Sequence, residues 1–303
     1  MKVLIIGLGS IAKKHINVLQ KIESDVNILA LRSNKSGKVE EGIKNIYSWA
    51  EVPKDIDFII ISNPTSLHAE TILKSLKFKV PLFIEKPVLD SLERSDKIIK
   101  EVRKRDILTY TACNLRYHPA IEFLKKEFST NVPIEYNSYC GSYLPEWRPN
   151  ADYREIYSAK KELGGGVHLD LIHEIDYCKY LLGNPIASIG YNRKKSDLEI
   201  NSTDVAHYVF EYDNTSAFIT LNYYRRDSKR QIECIWNDKT WLVDLLNNSI
   251  TDNKDELIYS EPFDIFDTYY VQMKNFIKCV ESNKIPDNNI KEGIETLKLV
   301  LNG

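Results

Sequence analysis

The stretch Gly7-Leu8-Gly9-Ser10-Ile11-Ala12 has the residue types and spacing needed to cradle a pyrophosphate. A first glycine permits a tight turn, a second lets phosphate approach the backbone, and a small third residue, here Ala12, lets a helix pack closely on a strand. An apolar run, Lys2–Ile6, precedes the stretch, and helical periodicity over Ile11–Lys21 follows it. Phosphates bound there would meet the free N–H groups and partial positive charge of a helix N-terminus. Gly7, Gly9, Ser10, Ile11 and Ala12 are therefore the candidate dinucleotide-binding residues. The second strand ends Ala30-Leu31-Arg32-Ser33-Asn34-Lys35, with no carboxylate to hold a ribose 2′-hydroxyl. Arg32 and Ser33, with Lys35 nearby, suit a 2′-phosphate, so NADP(H) is favoured and NAD(H) possible. The alternative is that Arg32 is a solvated loop residue.

Two further groups have chemistry to offer. Ile84-Glu85-Lys86-Pro87 closes the apolar run Pro81–Ile84. In an open parallel sheet the strand C-terminal ends form the ligand crevice, which would aim Lys86 at a bound nicotinamide. Pro87 holds Lys86 extended, although Lys-Pro pairs are also ordinary surface turns. The second group runs from Gly164-Gly165-Gly166 through His168 to Tyr177. Its glycines allow close approach of a ligand or a neighbouring backbone. Helical spacing puts Asp170, His173, Glu174 and Tyr177 on one face, leaving Leu171, Ile172 and Ile175 to pack. A plain solvent-exposed helix face is the competing reading, and His168 reads as a supporting residue. Between the two groups, Tyr143 and Trp147 offer flat faces to a sugar ring, while Arg148 and Arg154 suit a carboxylate or phosphate. A structural loop with buried aromatics would show the same residues.

The elements that position these residues follow from periodicity. The pattern predicts strands at Lys2–Ile6, Val26–Leu31, Phe58–Ile61, Pro81–Ile84 and Ile107–Cys113. It predicts helices at Ile11–Lys21, Thr65–Lys77 and Ser91–Lys104 between them. Strands this apolar imply a parallel sheet covered on both faces, a doubly wound Rossmann-type domain over residues 1–115. Beyond it the pattern predicts strands at Ile134–Ser142, Ile186–Lys194, Val205–Tyr212, Ala217–Tyr224, Arg230–Asn237 and Thr240–Leu245, several joined by short turns. Helices are expected near Gly166–Leu182, Asp267–Glu281 and Ile290–Leu301. This is an α+β domain over 116–303 with an open, mainly antiparallel sheet.

Bulk properties narrow the function. The 303 residues carry a net charge of −2, so no global basic surface points to nucleic acid. No apolar stretch reads as a signal peptide or a membrane span. The five cysteines are odd in number and scattered, without a CxxC pair, which argues against disulfides and a metal site and fits a reducing cytoplasm.

Taken together, the chain resembles the glucose–fructose oxidoreductase / inositol dehydrogenase / MocA (Gfo/Idh/MocA) family. The matching pieces are Gly7–Ala12, Ser62-Asn63-Pro64-Thr65 with His68, Glu85-Lys86-Pro87 and Gly164–His173. The resemblance implies a Rossmann domain followed by an α/β domain whose open sheet often mediates homodimers or homotetramers. It also implies hydride transfer between NAD(P) and a secondary hydroxyl or ketone of a sugar-type small molecule. Asn63, Pro64, His68, Glu85 and Lys86 would lie on the cofactor side. The catalytic lysine corresponds to Lys86 and the histidine to His173. The aspartate corresponds to Asp170, at three residues before the histidine where many relatives have four. Asn114-Leu115-Arg116-Tyr117-His118-Pro119, Gly141–Pro149 and Tyr153-Arg154 resemble a bacterial subgroup found among genes for surface sugars, including nonulosonic acids, and add Arg116 to the substrate-side candidates. Some relatives are dinucleotide-binding sensors without turnover, an alternative that the presence of both Lys86 and His173 argues against. Transient redox in an epimerase or glycosidase with retained cofactor is another.

Overall fold

Apolar runs of four or five residues build the first sheet. Its strands are Lys2–Ile6 (β1), Asn27–Leu31 (β2), Ile43–Ile46 (β3), Phe58–Ile61 (β4), Leu82–Glu85 (β5) and Thr109–Ala112 (β6). They lie in the order β3-β2-β1-β4-β5-β6, every pair parallel. Each residue of β4 and β5 is buried, as expected for strands covered on both faces. The chain winds outward from β1 to β3, then returns to β4 and winds the other way. The switch point falls between β1 and β4. The computed structural model describes residues 1–33 and 42–301.

Helices Ser10–Ile22 (α1), His68–Ser75 (α2) and Ser95–Arg105 (α3) alternate with these strands. The helix expected over Thr65–Lys77 is shorter, because its ends tighten into 3₁₀ turns at Thr65–Leu67 and Leu76–Phe78. Pro64 precedes the first turn, and Lys79, in the left-handed region at φ 56°, ends the second. This unit comprises Met1–Cys113 together with Phe266–Glu295. From the later segment, Met273 and Phe276 enter the core, where Phe276 meets the rings of Phe58, Phe83 and Tyr110 at 5.1, 5.3 and 5.8 Å. Asn288 covers the edge strand β6: its carbonyl accepts from the Thr111 amide (2.7 Å) and its side chain donates to the Thr111 carbonyl (2.6 Å). An edge paired in this way is closed to other strands.

The second unit comprises Asn114–Ile265 and the residues from Thr296. Helix Pro119–Phe128 (α4) opens it, with proline at the first helical position. Its sheet contains Glu135–Gly141 (β7), Ala187–Arg193 (β8), Val205–Glu211 (β9), Ser216–Asn222 (β10), Lys229–Ile235 (β11), Thr240–Asp244 (β12), Ser249–Asp252 (β13) and Leu257–Ser260 (β14). The order is β14-β13-β12-β11-β7-β10-β9-β8, antiparallel except for the central parallel pair β7–β10.

Between β7 and β8, the single helix expected near Gly166–Leu182 is two: Val167–Asp170 (α5) and His173–Leu182 (α6), broken at Leu171 and Ile172. The break corrects the reading of one continuous polar face. Asp170 (5 % exposed), His173 (8 %), Glu174 and Tyr177 (both 0 %) are all buried, so no solvated face exists there. Helices Ile265–Ser282 (α7) and Ile290–Leu301 (α8) complete the chain.

Candidate active site

Gly7 follows β1 with φ +87°, a conformation that favours glycine. A Cβ on it would stand 2.8 Å from both Cα and N of Asn63, the residue just past β4 and Ser62. Gly9 is different: a Cβ there meets nothing within 4 Å. Gly9 caps α1 with extended backbone and no side-chain hydrogen bond, and the first turn holds no acidic residue. Gly9 and Ser10 are exposed, Ile11 is half-buried and Ala12 is fully buried against the strand. An uncapped helix N-terminus beside open space fits a dinucleotide pyrophosphate. At the end of β2, Arg32 is half-buried and donates to the Asn45 side chain (3.3 Å), while Ser33 is exposed. Lys35 lies outside the described residues.

Asn63, His68, Glu85 and Lys86 come together around the ends of β4 and β5. His68 is 1 % exposed. Its Nε2 lies 2.9 Å from the Asn63 carbonyl, and its Nδ1 lies 3.1 and 3.2 Å from those of Pro87 and Val88. Burial pushes its pKa below the ordinary histidine value despite these carbonyls. The ring thus braces the Asn63-Pro64 turn against the Lys86-Pro87 turn, whose peptide bond is cis. Asn63 also donates from Nδ2 to the Thr71 hydroxyl (2.8 Å). Glu85 sits at the end of β5 and receives Nε2 of His15 at 2.5 Å. His15 went unnoticed in the sequence; the available signal was a lone histidine on the apolar face of α1.

In the second unit, Asp170 accepts a hydrogen bond from the hydroxyl of Tyr223, just past β10. Trp147 packs edge-on against Tyr223 (5.2 Å between ring centroids) and donates from Nε1 to the Ser142 hydroxyl (2.8 Å). The guanidinium of Arg226 stacks 3.6 Å from the ring centroid of Tyr143. Asp170, Trp147 and Tyr143 therefore gather at the ends of the paired strands β7 and β10, with Tyr223 and Arg226 as members that periodicity could not reveal. The glycine run serves packing: a Cβ on Gly165 would lie 2.2 Å from the Tyr157 carbonyl oxygen, and one on Gly166 (φ +134°) 2.7 Å from the His168 ring. Burial pushes His168 down to about 4, so it is neutral at physiological pH.

The remaining arginines differ. Arg116 grips Asp176 of α6 with two bonds, Nε at 2.8 Å and Nη2 at 2.7 Å, both partners buried. Arg230 likewise donates to the buried Glu174 (2.7 Å). These two pairs hold α6, which begins at His173. Arg154 is exposed, between Asp152 and Glu199; Arg148 is exposed.

A parallel sheet with an uncapped glycine-loop helix at its switch point, joined to a large mixed sheet, defines a dinucleotide-binding oxidoreductase of two domains. Residues 1–112 match the Gfo/Idh/MocA oxidoreductase family, NAD-binding Rossmann fold, and residues 136–241 match the Gfo/Idh/MocA C-terminal domain. The chain belongs to this family. A myo-inositol 2-dehydrogenase from Thermotoga maritima is 25 % identical, over 99 % of this chain and 94 % of that protein. The structure of a UDP-N-acetylglucosamine 3-dehydrogenase from Acidithiobacillus ferrooxidans superposes with a TM-score of 0.81 at 19 % identity, covering 99 % of this chain and 95 % of its own. A levoglucosan dehydrogenase in complex with NADH gives 0.85 at 15 % identity, covering 100 % and 95 %. At these identities the two structures share the fold.

Proposed function

We propose that the protein transfers a hydride between a nicotinamide dinucleotide, NADP(H) in preference to NAD(H), and a secondary hydroxyl or ketone of a sugar, sugar derivative or nucleotide sugar. One observation carries the reading. Gly7, Asn63 and Lys86 follow β1, β4 and β5, three adjacent parallel strands, so the phosphate loop and the lysine share one edge of the sheet. The dehydrogenases of inositol, levoglucosan and a nucleotide sugar among its relatives support the substrate class. Arg32 in place of an acid supports NADP(H).

The nicotinamide, when bound, takes or gives the hydride. His173 accepts the hydroxyl proton at its ring, a task suited to a group whose unperturbed pKa is near 6.5. Lys86 donates a hydrogen bond from Nζ to the same oxygen and stabilises the negative charge that develops there. Asp170 orients the substrate or His173, and its own placement is set by Tyr223. On the substrate side, Tyr143 and Trp147 offer aromatic faces to the sugar, with Arg148 for an anionic group. Arg116 and Arg154 reach the substrate only by loosening the ion pairs they make.

The open sheet face supports a homodimer or homotetramer. The register lines up Ile189, Val209, Phe218, Asn137, Glu233 and Leu242 in one row across β8-β9-β10-β7-β11-β12. Ile189, Phe218 and Leu242 are 61, 40 and 40 % exposed, an apolar surface that a second copy would cover. Among the described residues no helix is long and apolar enough to cross a membrane. The five buried cysteine thiols suit a reducing cytoplasm.

The test is turnover of Lys86→Ala and His173→Ala at saturating cofactor, on the best substrate from a panel of free and nucleotide sugars offered with both cofactors. Near wild-type kcat in both variants would sink the assignment. Binding of cofactor without a change in nicotinamide absorbance on any sugar would turn the reading to a sensor.

A further inference from the structure

We infer that His15 is a positioning residue for Lys86, acting through Glu85 to tie the dinucleotide helix to the backbone of the lysine. This rests on the reading of Lys86 as catalytic. His15 lies on the buried face of α1, the helix whose N-terminus Gly9 caps. Its ring is fully buried, edge-on to Phe83 at 5.0 Å and Tyr269 at 6.1 Å. The other buried positions of α1 are Ala12, Ile16, Val18 and Leu19, so an aliphatic residue at position 15 would satisfy the core. Burying an imidazole instead costs desolvation unless it finds a partner. It finds one: Nε2 meets Oε1 of Glu85 at 2.5 Å. Nδ1 is buried with no hydrogen-bond partner among the described residues. The tautomer with its proton on Nε2 matches this arrangement, since the ring then donates to the carboxylate.

The second oxygen of Glu85 accepts the amide hydrogen of Lys86 at 3.1 Å. One carboxylate, 6 % exposed, therefore joins the histidine of α1 to the peptide that carries Lys86. On the far side of the same turn, His68 meets the carbonyls of Pro87 and Val88. The backbone on both sides of Lys86 is thus held by buried histidines. A lysine that must meet one oxygen gains from such a mount, because a displacement of about 1 Å in a catalytic group can cost on the order of a hundredfold in rate.

The experiment compares His15→Leu, which removes the donor, with His15→Gln, whose side-chain amide reaches about as far as Nε2. Three readouts are taken on the full-length protein: hydrogen exchange at the Lys86 amide, NADPH affinity by fluorescence, and kcat on the best sugar of the panel. His15→Leu is expected to speed exchange at Lys86 by roughly tenfold or more while other β5 amides stay protected. It is expected to lower kcat by about 10- to 100-fold with much smaller changes in NADPH affinity and in KM. His15→Gln should restore both exchange protection and most of kcat. If the leucine variant does not fold, His15→Asn, too short to reach Glu85, replaces it. Wild-type exchange and kcat in the donor-less variant overturn the inference. So does a glutamine variant as impaired as the leucine one. Lys86→Ala, run alongside, separates the two readings: full activity there defeats the catalytic role of Lys86, whereas an inactive Lys86→Ala beside an unimpaired His15→Leu defeats the positioning role alone.

Discussion

Tyr223 donates its hydroxyl hydrogen to Asp170 in a bond closed to solvent, the tyrosine fully buried and the aspartate 5 % exposed. Burial first, and then the Asp170 charge, push the phenol well above its ordinary pKa. Tyr223 therefore stays a donor throughout the pH range in which an enzyme works. Removing the hydroxyl leaves a buried carboxylate short of one partner, a loss on the order of 1–3 kcal/mol. Tyr223→Phe should lower stability by about that amount in denaturant unfolding and reduce kcat. If stability and kcat both stay at wild type, the bond serves neither purpose.

Arg116 and Asp176 form a buried bidentate pair. Breaking such a pair by removing one partner costs roughly 3–5 kcal/mol, because the other charge is left uncompensated. Arg116→Met should be destabilised by this order, and Arg116→Met with Asp176→Leu should recover much of the loss. If the double variant keeps the wild-type KM for the sugar, Arg116 is structural. If KM rises while stability is restored, Arg116 also touches substrate.

Gly7 and Gly9 should fail differently. Gly7→Ala places a Cβ against the backbone of Asn63 at a positive φ, and a cost of about 1–3 kcal/mol follows. Gly9→Ala places its Cβ where nothing lies within 4 Å and should lose less stability than Gly7→Ala, its cost confined to the weaker N-cap. It should still weaken NADPH binding, by about tenfold or more, because its side chain occupies the ground on which phosphate approaches. Equal losses of stability in the two variants would contradict this division.

Cofactor preference should reside at the end of β2. Arg32→Glu replaces a cation suited to a 2′-phosphate with an acid suited to a 2′-hydroxyl. The ratio of kcat/KM for NADPH over NADH should fall by roughly 10- to 100-fold. An unchanged ratio would assign the preference elsewhere.

Two neutral histidines make stability depend on pH. Burial pushes His118 and His168 from 6.5 to about 4 in the folded chain. Between those values the unfolded chain binds more protons, so stability rises with pH. Their contribution is complete above about 6.5, is drawn down as pH falls, and is gone once pH passes the folded value near 4. Geometry agrees at His118, where Nδ1 accepts the Ala120 amide hydrogen that starts α4 (3.3 Å) while Nε2 donates to the Leu245 carbonyl (3.0 Å). Protonating Nδ1 would abolish that cap. Urea unfolding at about pH 7.5 and about pH 5 should show the loss, and His118→Gln should shrink it. An equal loss in the variant would assign the pH dependence to other groups.

The strands that carry the dinucleotide loop and Lys86 were legible because full burial on two faces leaves an uninterrupted apolar run, as in Phe58–Ile61. Shorter or more exposed strands were not. Ile43–Ile46 has an exposed lysine in its middle, and Leu257–Ser260 is an edge strand with three exposed residues of four. Helix α4 carries Pro119 at its start and helical spacing at Ile121, Leu124 and Phe128, but it is short, at ten residues. Among the candidate site residues, Gly7–Ala12 and Glu85–Pro87 stand out in the sequence because each is a contiguous motif. His15 and Tyr223 do not, since their partners lie 70 and 53 residues away. The same distance hid the pairing of Arg116 with Asp176, 60 residues on, without which an arginine reads as free to bind substrate.

Phe276 sets a timetable for the chain. The nucleotide-binding sheet is finished by Ala112, yet the ring that seals Phe58, Phe83 and Tyr110 is made only after the whole second sheet has been synthesised. The β6 edge depends in the same way on Asn288, 177 residues past Thr111. Contacts this far apart in sequence slow folding, because the intervening chain must be closed before they form. Each unit is therefore closed by residues that follow the other in sequence, the first by Phe266–Glu295 and the second by those from Thr296.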